Sequence, residues 1–312
     1  MVNAGSRPRR KLTTVAFRPP RALGVIVGGA LAAWAFVLAF LCLRLALDAS
    51  VEFRSFATFA VGTLLALLGI AFANWTYSLS TLSYTITRHA LLIRWGFRQV
   101  IVPIEAIQRM IPGRTLDEAK VAGLNWWGCH VGHSEVKRVG YTLFYSTHSS
   151  PDELLFVVTN ADAYALTVLD QASFAEEIQA RAELDPVEQQ VQRSTASGIA
   201  ALPFWRDRVA LLAAAGGAIC CALLAGFVYW QYPALPKVIQ LSFPELGGVV
   251  RVGDKSELLH IVYLAVGVLA VNTALGIAVH ARERAAGLWL FASGSAVQFV
   301  LLAASFIAIQ KS

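Results

Sequence analysis

The sequence has little charge and few cysteines. Charged residues make up only 15% of its 312 residues, whereas apolar residues make up 56%. The mean hydropathy of +0.57 is too apolar for an ordinary soluble protein of this length. The four cysteines do not have the pattern of a disulfide framework, because Cys42, Cys220 and Cys221 lie in apolar runs and Cys129 has no obvious companion outside them. This composition indicates a membrane protein.

Five apolar runs have the length of roughly 20 residues that a helix needs to cross a bilayer. They cover approximately residues 23–47, 56–75, 209–230, 259–279 and 288–309. The first run, of about 25 residues, is too long for a signal peptide and lacks a clear A-x-A cleavage pattern, so it predicts an uncleaved span. The predicted plan is a basic leader, two helices, a polar domain, a linker and three helices with a loop between the first two of the three. These segments cover residues 1–22, 23–77, 78–185, 186–208 and 209–312, and the loop covers 231–257.

Orientation is predicted from the lysines and arginines that flank the spans. The leader holds six basic residues, whereas the first short connection holds Arg54 alone. The leader is therefore expected in the cytoplasm, and two spans return the chain to the same side. Arg206, Arg208, Arg282 and Arg284 agree with this assignment. We expect a cell-membrane protein whose polar domain is cytoplasmic and whose C-terminus is outside.

Polar residues within the spans are few. Asn272, Thr273 and Gln298 lie within the fourth and fifth runs, and no run has a clear acid or lysine at its middle. Hydrogen bonding between helices is the favoured interpretation over a conduction path, and a transporter subunit remains the third functional alternative. Nucleic acid is not an expected partner, because residues 77–198 carry ten basic and thirteen acidic residues.

The polar domain has the pattern of several antiparallel strands followed by one helix. Residues 82–102 predict two or three strands with a turn at Gly96, and GYTLFYSTH, ELLFVVTN and YALTVLD predict three more. Asp170 is placed to cap a helix in which Phe174 and Ile178 share one face. Pro186 is expected to end that helix.

These motifs resemble those of a bacterial pleckstrin-homology (PH) domain. The resemblance rests on YTITRHALLIRWGFRQVIVPIEAIQRMI from Tyr84 to Ile111, followed by GLNWWGCHVG, GYTLFYST, LLFVVTN and YALTVLDQASFAEEI. It covers residues 78–183. The resemblance implies a bent seven-stranded β-barrel or sandwich closed by the C-terminal helix, with no catalytic residues. The expected fold class is thus an α+β membrane protein with about five transmembrane helices and a PH-like domain between helices two and three.

The loop at residues 231–257 carries a second resemblance. Its YPALP start, Phe243 and Lys255 are similar to the extracytoplasmic loop of uncharacterised bacterial membrane proteins, although Ser242 stands where a histidine is usual. The same module occurs in membrane proteins that confer immunity to secreted peptide toxins. The resemblance implies an alternative function, toxin immunity or signalling through a ligand of this loop.

The stretch GLNWWGCHVGH is the strongest candidate site in the polar domain. Cys129, His130 and His133 are possible metal ligands, but four-ligand or three-ligand zinc patterns are missing. A catalytic Cys/His pair would need an activated thiol, for which the sequence gives no sign. We therefore expect no metal, no cofactor and no enzyme activity. Trp126 and Trp127 are expected in the domain core or in an exposed aromatic contact.

Protein contact is favoured over binding of lipid headgroups. A phosphoinositide pocket would need clustered lysines and arginines, whereas Arg88, Arg94 and Arg98 are spaced singly. Membrane lipids are the expected solvent of the spans, and a protein partner or self-association is the expected interaction of the domain. The candidate interaction residues are Trp126, Trp127, Arg88, Arg94 and Arg98. The predicted function is interaction or assembly at the membrane.

Overall fold

The computed structural model describes residues 14–116, 120–183, 191–243 and 249–310. The chain divides into two compact units, one of Met1–Trp34 with Gly69–Ala200 and one of Ala35–Leu68 with Ala201–Ser312. Within the described residues, five helices are long and apolar enough to cross a membrane. The described residues outside them include the predicted β-domain, so the α+β prediction is confirmed.

The chain enters the fold through one short strand and two long helices. Strand β1 covers Val15–Phe17, helix α1 covers Ala22–Asp48 and helix α2 covers Phe53–Ser80. At 1.5 Å per residue, the 27 residues of α1 extend about 40 Å, which exceeds the hydrocarbon thickness of about 30 Å. Helix α1 is therefore long enough to cross the bilayer.

A five-stranded sheet contains residues from both sides of the helix pair. Its order is β1-β2-β3-β4-β11, with β2 at Ser83–Ile86, β3 at Ala90–Trp95, β4 at Arg98–Pro103 and β11 at Arg193–Ala196. Phe17 lies opposite Tyr84 in the antiparallel β1–β2 pair. The α1–α2 hairpin is thus inserted between two adjacent strands, and both of its ends emerge at one sheet.

A six-stranded sheet forms the rest of the β-domain. Its order is β5-β9-β10-β8-β7-β6. Its strands are β5 at Ile107–Pro112, β6 at Ala122–Trp126, β7 at Cys129–Val136, β8 at Gly140–Ser146, β9 at Leu154–Thr159 and β10 at Ala163–Thr167. The β8–β10 pair is parallel and the other pairs are antiparallel.

The core of the β-domain joins the two sheets and helix α3, which covers Gln171–Ala182. Tyr84 is fully buried, and its hydroxyl donates a 2.6 Å hydrogen bond to the carbonyl oxygen of Tyr145 in the other sheet. Phe174 and Ile178 face this core. Asp170 accepts a hydrogen bond from the backbone N–H of Ser173, so the predicted helix cap is confirmed. The predicted stop at Pro186 lies outside the described residues.

The described residues contain eleven strands in these two sheets rather than the seven that the resemblance implies. Two of the added strands lie outside the predicted domain of residues 78–185. Strand β1 comes from the predicted leader, and β11 comes from the predicted linker. Each supplies hydrogen-bonding partners to an edge of the β2–β3–β4 sheet that would otherwise be open.

The second unit includes three further helices and a hairpin. Helix α4 covers Arg208–Gln231, α5 covers Glu257–His280 and α6 covers Arg284–Gln310, close to the predicted spans. Strands β12 at Val238–Phe243 and β13 at Val249–Asp254 pair within the predicted loop 231–257. The buried Gln298 amide donates a 2.7 Å hydrogen bond to the carbonyl oxygen of Ala265, which is the predicted bond between helices.

Candidate functional site

The turn between β6 and β7 meets the first turn of α1, backbone against backbone. Gly128 occupies the turn with φ of 81°, a left-handed conformation that favours glycine. A Cβ atom built on Gly24 would lie 2.2 Å from the Gly128 carbonyl oxygen, and one built on Gly128 would lie 2.4 Å from the Gly24 nitrogen. Glycine at both positions therefore permits the contact.

Trp126 fills the space beside this contact with aromatic packing. Its ring centroid lies 6.4 Å from that of Phe72 and 6.2 Å from that of Trp75, both on α2. Its indole N–H donates a 3.4 Å hydrogen bond to the carbonyl oxygen of Gly24. Trp126 therefore connects the β-domain with both helices. We call Gly24, Phe72, Trp75, Trp126 and Gly128 the helix-end cluster.

Trp127 has a different environment from its neighbour. Its side chain is 77% exposed, although its two sequence neighbours, Trp126 and Gly128, belong to the helix-end cluster. The first two turns of α1 also present exposed apolar side chains, at Leu23 and Ile26. Trp127 is therefore available for a contact that the folded chain does not satisfy.

The turn between β3 and β4 meets the end of α2. The Gly96 N–H donates a 2.9 Å hydrogen bond to the Thr81 hydroxyl. A Cβ atom on Gly96, where φ is 56°, would lie 2.3 Å from Ser78 Oγ. The rings of Tyr77 and Phe97 lie 5.3 Å apart. Two turns of the β-domain thus contact the helix ends, which fixes the domain at two points.

The three candidate arginines are exposed but do not share one site. Arg88 lies in the β2–β3 turn, whereas Arg94 and Arg98 lie at the other end of the β3–β4 pair. Arg94 is opposite Gln99, and Arg98 is opposite Trp95. Since alternate residues of a strand face opposite sides of the sheet, Arg94 and Arg98 project to different faces. This arrangement does not form a single cradle for a phosphate group.

The strand geometry also separates the candidate metal ligands. Cys129, His130 and His133 all lie on β7, where Cys129 and His133 are on one face and His130 is on the other. The Cys129 side chain is buried, whereas His133 is exposed. Among the described residues, no group of three or more histidine, cysteine, aspartate or glutamate side chains could hold a metal ion.

The protonation behaviour of these residues follows from burial. Burial raises the pKa of the Cys129 thiol to about 12, which is opposite to the activation that a thiolate nucleophile requires. Burial, assisted by repulsion from nearby His148, lowers the pKa of His130. His148 contacts Glu153, with 3.2 Å between Nε2 and a carboxylate oxygen. Burial thus makes the Cys129 thiol and the His130 ring harder to ionise, whereas His148 and Glu153 pair at the surface between β8 and β9.

A polar cluster in the second unit connects its three helices at one end. Asp207 accepts hydrogen bonds from the backbone N–H groups of Val209 and Ala210 at the start of α4. Its carboxylate also lies 2.6 Å from Arg284 Nε and 3.5 Å from His280 Nε2. These bonds hold the pKa of Asp207 at about 2. They join the start of α4 to the α5–α6 connection.

Sequence patterns indicated some of these contacts but missed others. Gly24 and Gly28 are spaced for close helix approach, and a Cβ on Gly28 would lie 2.3 Å from Thr76 Oγ1. The partner of Gly24, however, is the β6–β7 turn rather than a helix. Strand β1 has only three residues, too few for a period-two pattern to identify it.

Comparison with known proteins identifies one region of the chain. Residues 82–182 match the family model for the bacterial PH domain. This match confirms the resemblance of the β-domain and extends from the start of β2 to the end of α3. Strands β1 and β11 lie outside the matched residues. No curated protein and no solved structure matches the chain.

Proposed function

We propose that this chain is a non-enzymatic integral membrane protein that presents its PH-like domain at the cytoplasmic face for interaction with, or assembly of, other proteins. The observation that carries this proposal is the β1–β2 pair, because these two strands flank the α1–α2 hairpin in the sequence and pair in one sheet. A domain built around its own membrane helices has a fixed attachment. Such a domain does not need to bind a lipid headgroup in order to reach the bilayer.

The distribution of charge supports placing the β-domain on the cytoplasmic side. The leader holds five arginines and one lysine, Arg206 and Arg208 lie at the start of α4, and such residues favour the cytoplasm. Because β1 and β2 pair in one sheet, the segments before α1 and after α2 lie on the same side. In the second unit, Asp207 contacts Arg284, so α4 and α6 start at the same end. We place the C-terminus and the β12–β13 hairpin outside.

Two features support a binding role instead of catalysis. The Cys129 thiol is buried and its pKa is raised, so it is poorly suited to nucleophilic attack. The GLNWWGCHVGH stretch, which is the richest in potentially reactive residues, provides the β6–β7 hairpin and its contact with α1. The stretch therefore has a structural role, because its hairpin attaches the domain to the membrane helices.

Protein contact is preferred over headgroup recognition because the arginines are dispersed. Arg88 and Arg94 are exposed at opposite ends of β3, where each can pair with an acidic side chain of a partner. A phosphate group would instead favour several converging donors. We assign the partner contact to the exposed side of the β2–β3 region.

In-cell photo-crosslinking tests this assignment. A photoreactive phenylalanine analogue at Arg94 or Arg88 should give discrete protein adducts in intact cells. The same group at Leu64, which is 66% exposed on α2, reports neighbours of the span and serves as the control. Adducts specific to the β-domain positions support the proposal. Adducts with lipid alone at Arg94 and Arg88 would contradict it.

A second candidate function belongs to loop 231–257. The observation that favours it is the paired β12–β13 hairpin, next to which Lys255 Nζ lies 4.7 Å from the ring centroid of Tyr232. This ordered element suits a ligand contact better than a plain connection would. If the loop senses a toxin, replacing it with a short glycine-serine linker should remove protection while leaving the photo-crosslinks at Arg94 unchanged.

A further inference from the structure

The environment of Trp127 follows from the position of its turn along the membrane helices. Along α1, Arg44 lies 3.1 Å from Asp48 in an exposed ion pair, which marks one polar boundary of the span. A hydrocarbon layer of about 30 Å accommodates about 20 helical residues. Counting back from Leu43 places the other boundary at about Gly24, the residue that contacts Gly128.

Helix α2 gives the same depth independently. Its apolar run starts at about Phe56, just after Arg54, and about 20 residues later reaches Trp75. Trp75 is in ring contact with Trp126. Both helices therefore place the helix-end cluster at the border between hydrocarbon and headgroups.

The tip of the β6–β7 hairpin presents an apolar ring at this border. Trp127 is 77% exposed, while Leu23 on the adjacent turn of α1 is 60% exposed. A Cβ built on Gly128 would lie 3.2 Å from the carbonyl carbon of Leu23, so the hairpin tip and this residue of α1 are neighbours. Exposed apolar side chains therefore lie on both sides of this backbone contact, Leu23 on α1 and Trp127 on the β-domain.

Tryptophan is suited to this position. Its large ring gains from leaving water, whereas its indole N–H retains access to polar headgroup atoms, which is why tryptophan collects at bilayer interfaces. Arg18 and Arg21 precede α1 and provide positive charge on the same side. A charged layer beside an exposed indole fits lipid headgroups.

We propose that Trp127 lies in the interfacial layer of the bilayer that α1 and α2 span, and anchors the membrane-proximal end of the β-domain there. Trp126 and Trp127 then have complementary roles, one toward the helices and the other toward lipid. This anchor does not depend on which side of the membrane holds the domain. It also does not depend on any protein partner of Arg88 or Arg94.

Depth-resolved quenching by brominated lipids tests the anchor in the full-length protein. The protein is reconstituted into bilayers whose lipids carry bromine near the headgroup or near the acyl-chain ends. Trp127→Phe isolates the Trp127 emission as a difference from the unmodified protein, and Trp127→Tyr provides a second, independent difference spectrum. Trp34→Phe is the matched control, because Trp34 is 70% exposed on α1 and lies ten residues beyond Gly24.

The two tryptophans should give opposite depth profiles. Shallow bromines should remove the greater part of the Trp127 emission and deep bromines much less, whereas Trp34 should respond more to deep bromines. Trp127 emission that neither lipid quenches would place the ring in water or against protein and overturn the proposal. Stronger quenching by deep bromines would also overturn it, because the ring would then lie in the hydrocarbon.

Discussion

Gly24 and Gly128 are in direct backbone contact, although most of α1, the whole of α2 and the five strands β2 to β6 separate them in the sequence. A Cβ on Gly24 would lie 2.2 Å from the Gly128 carbonyl oxygen, closer than any normal contact. This contact connects the first turn of α1 to the β6–β7 turn. The β-domain is therefore attached to the helices by close packing as well as by the chain itself.

Replacing Gly24 should weaken this attachment. Gly24→Ala introduces a methyl group against backbone atoms that cannot rotate away, so we expect a loss of about 1 to 3 kcal/mol in unfolding free energy. Unfolding in detergent micelles, followed by tryptophan fluorescence, measures the change. Gly29→Ala is the control, because a Cβ at Gly29 has no neighbour within 4 Å. Equal stability of the two variants would contradict the contact.

Phe17 should contribute to the stability of the β-domain even though it precedes the first span. Its ring packs edge-on against Phe174, with 5.0 Å between centroids. Phe17→Ala removes this contact from a half-buried site, so we expect a cost of about 1 to 3 kcal/mol. Thermal unfolding measures the change, and Arg18→Ala, at the exposed next residue, is the control. A Phe17→Ala protein with the stability of the unmodified protein would show that β1 does not stabilise the β-domain.

Asp207 should make the second unit sensitive to acid. Its folded-state pKa is about 2, below the ordinary 3.8, because Arg284 and the backbone N–H groups of α4 bond to the carboxylate. This stabilisation is complete above about pH 4 and is lost as the pH falls toward 2. Asp207→Asn should flatten the dependence of the melting temperature on pH in this window. Glu283→Gln, which changes the acid next to Arg284 in the sequence, should leave this dependence on pH unchanged. A dependence in Asp207→Asn equal to that of the unmodified protein would refute the assignment.

Gln298 should act as a packing residue of the helices. Its amide N–H bonds to the Ala265 carbonyl oxygen within a fully buried environment. Gln298→Leu should cost about 0.6 to 2 kcal/mol, the range measured for hydrogen bonds between membrane helices. Ser293→Leu, at an exposed position of α6, provides the comparison in detergent unfolding. A stability equal to that of the unmodified protein would show that this bond contributes nothing.

The sequence predicted the elements of the fold better than their contacts. The spans follow from apolar length, and Asp170 with Phe174 and Ile178 predicted α3 because capping and helical spacing are local signals. The β1–β2 pair could not be predicted, since its strands are separated by the two helices and β1 is only three residues long. Pairing at such separation depends on the whole fold.

The candidate site shows the same limit at single residues. Trp126 and Trp127 are identical side chains at adjacent positions, so composition cannot assign their different environments. The distinction arises because Trp126 reaches Phe72 and Trp75, whereas Trp127 occupies the tip of the turn. Likewise, Cys129, His130 and His133 resemble a ligand set in sequence until strand alternation separates them.

The side of the membrane that holds the β-domain is the most direct test of the proposed function. Reporter fusions at Gly198, at Gly247 and after Ser312 measure it in intact cells. The account predicts a cytoplasmic signal at Gly198 and external signals at Gly247 and Ser312. An external signal at Gly198, with cytoplasmic signals at the other two sites, would contradict the account, because the PH-like domain could not then bind cytoplasmic partners.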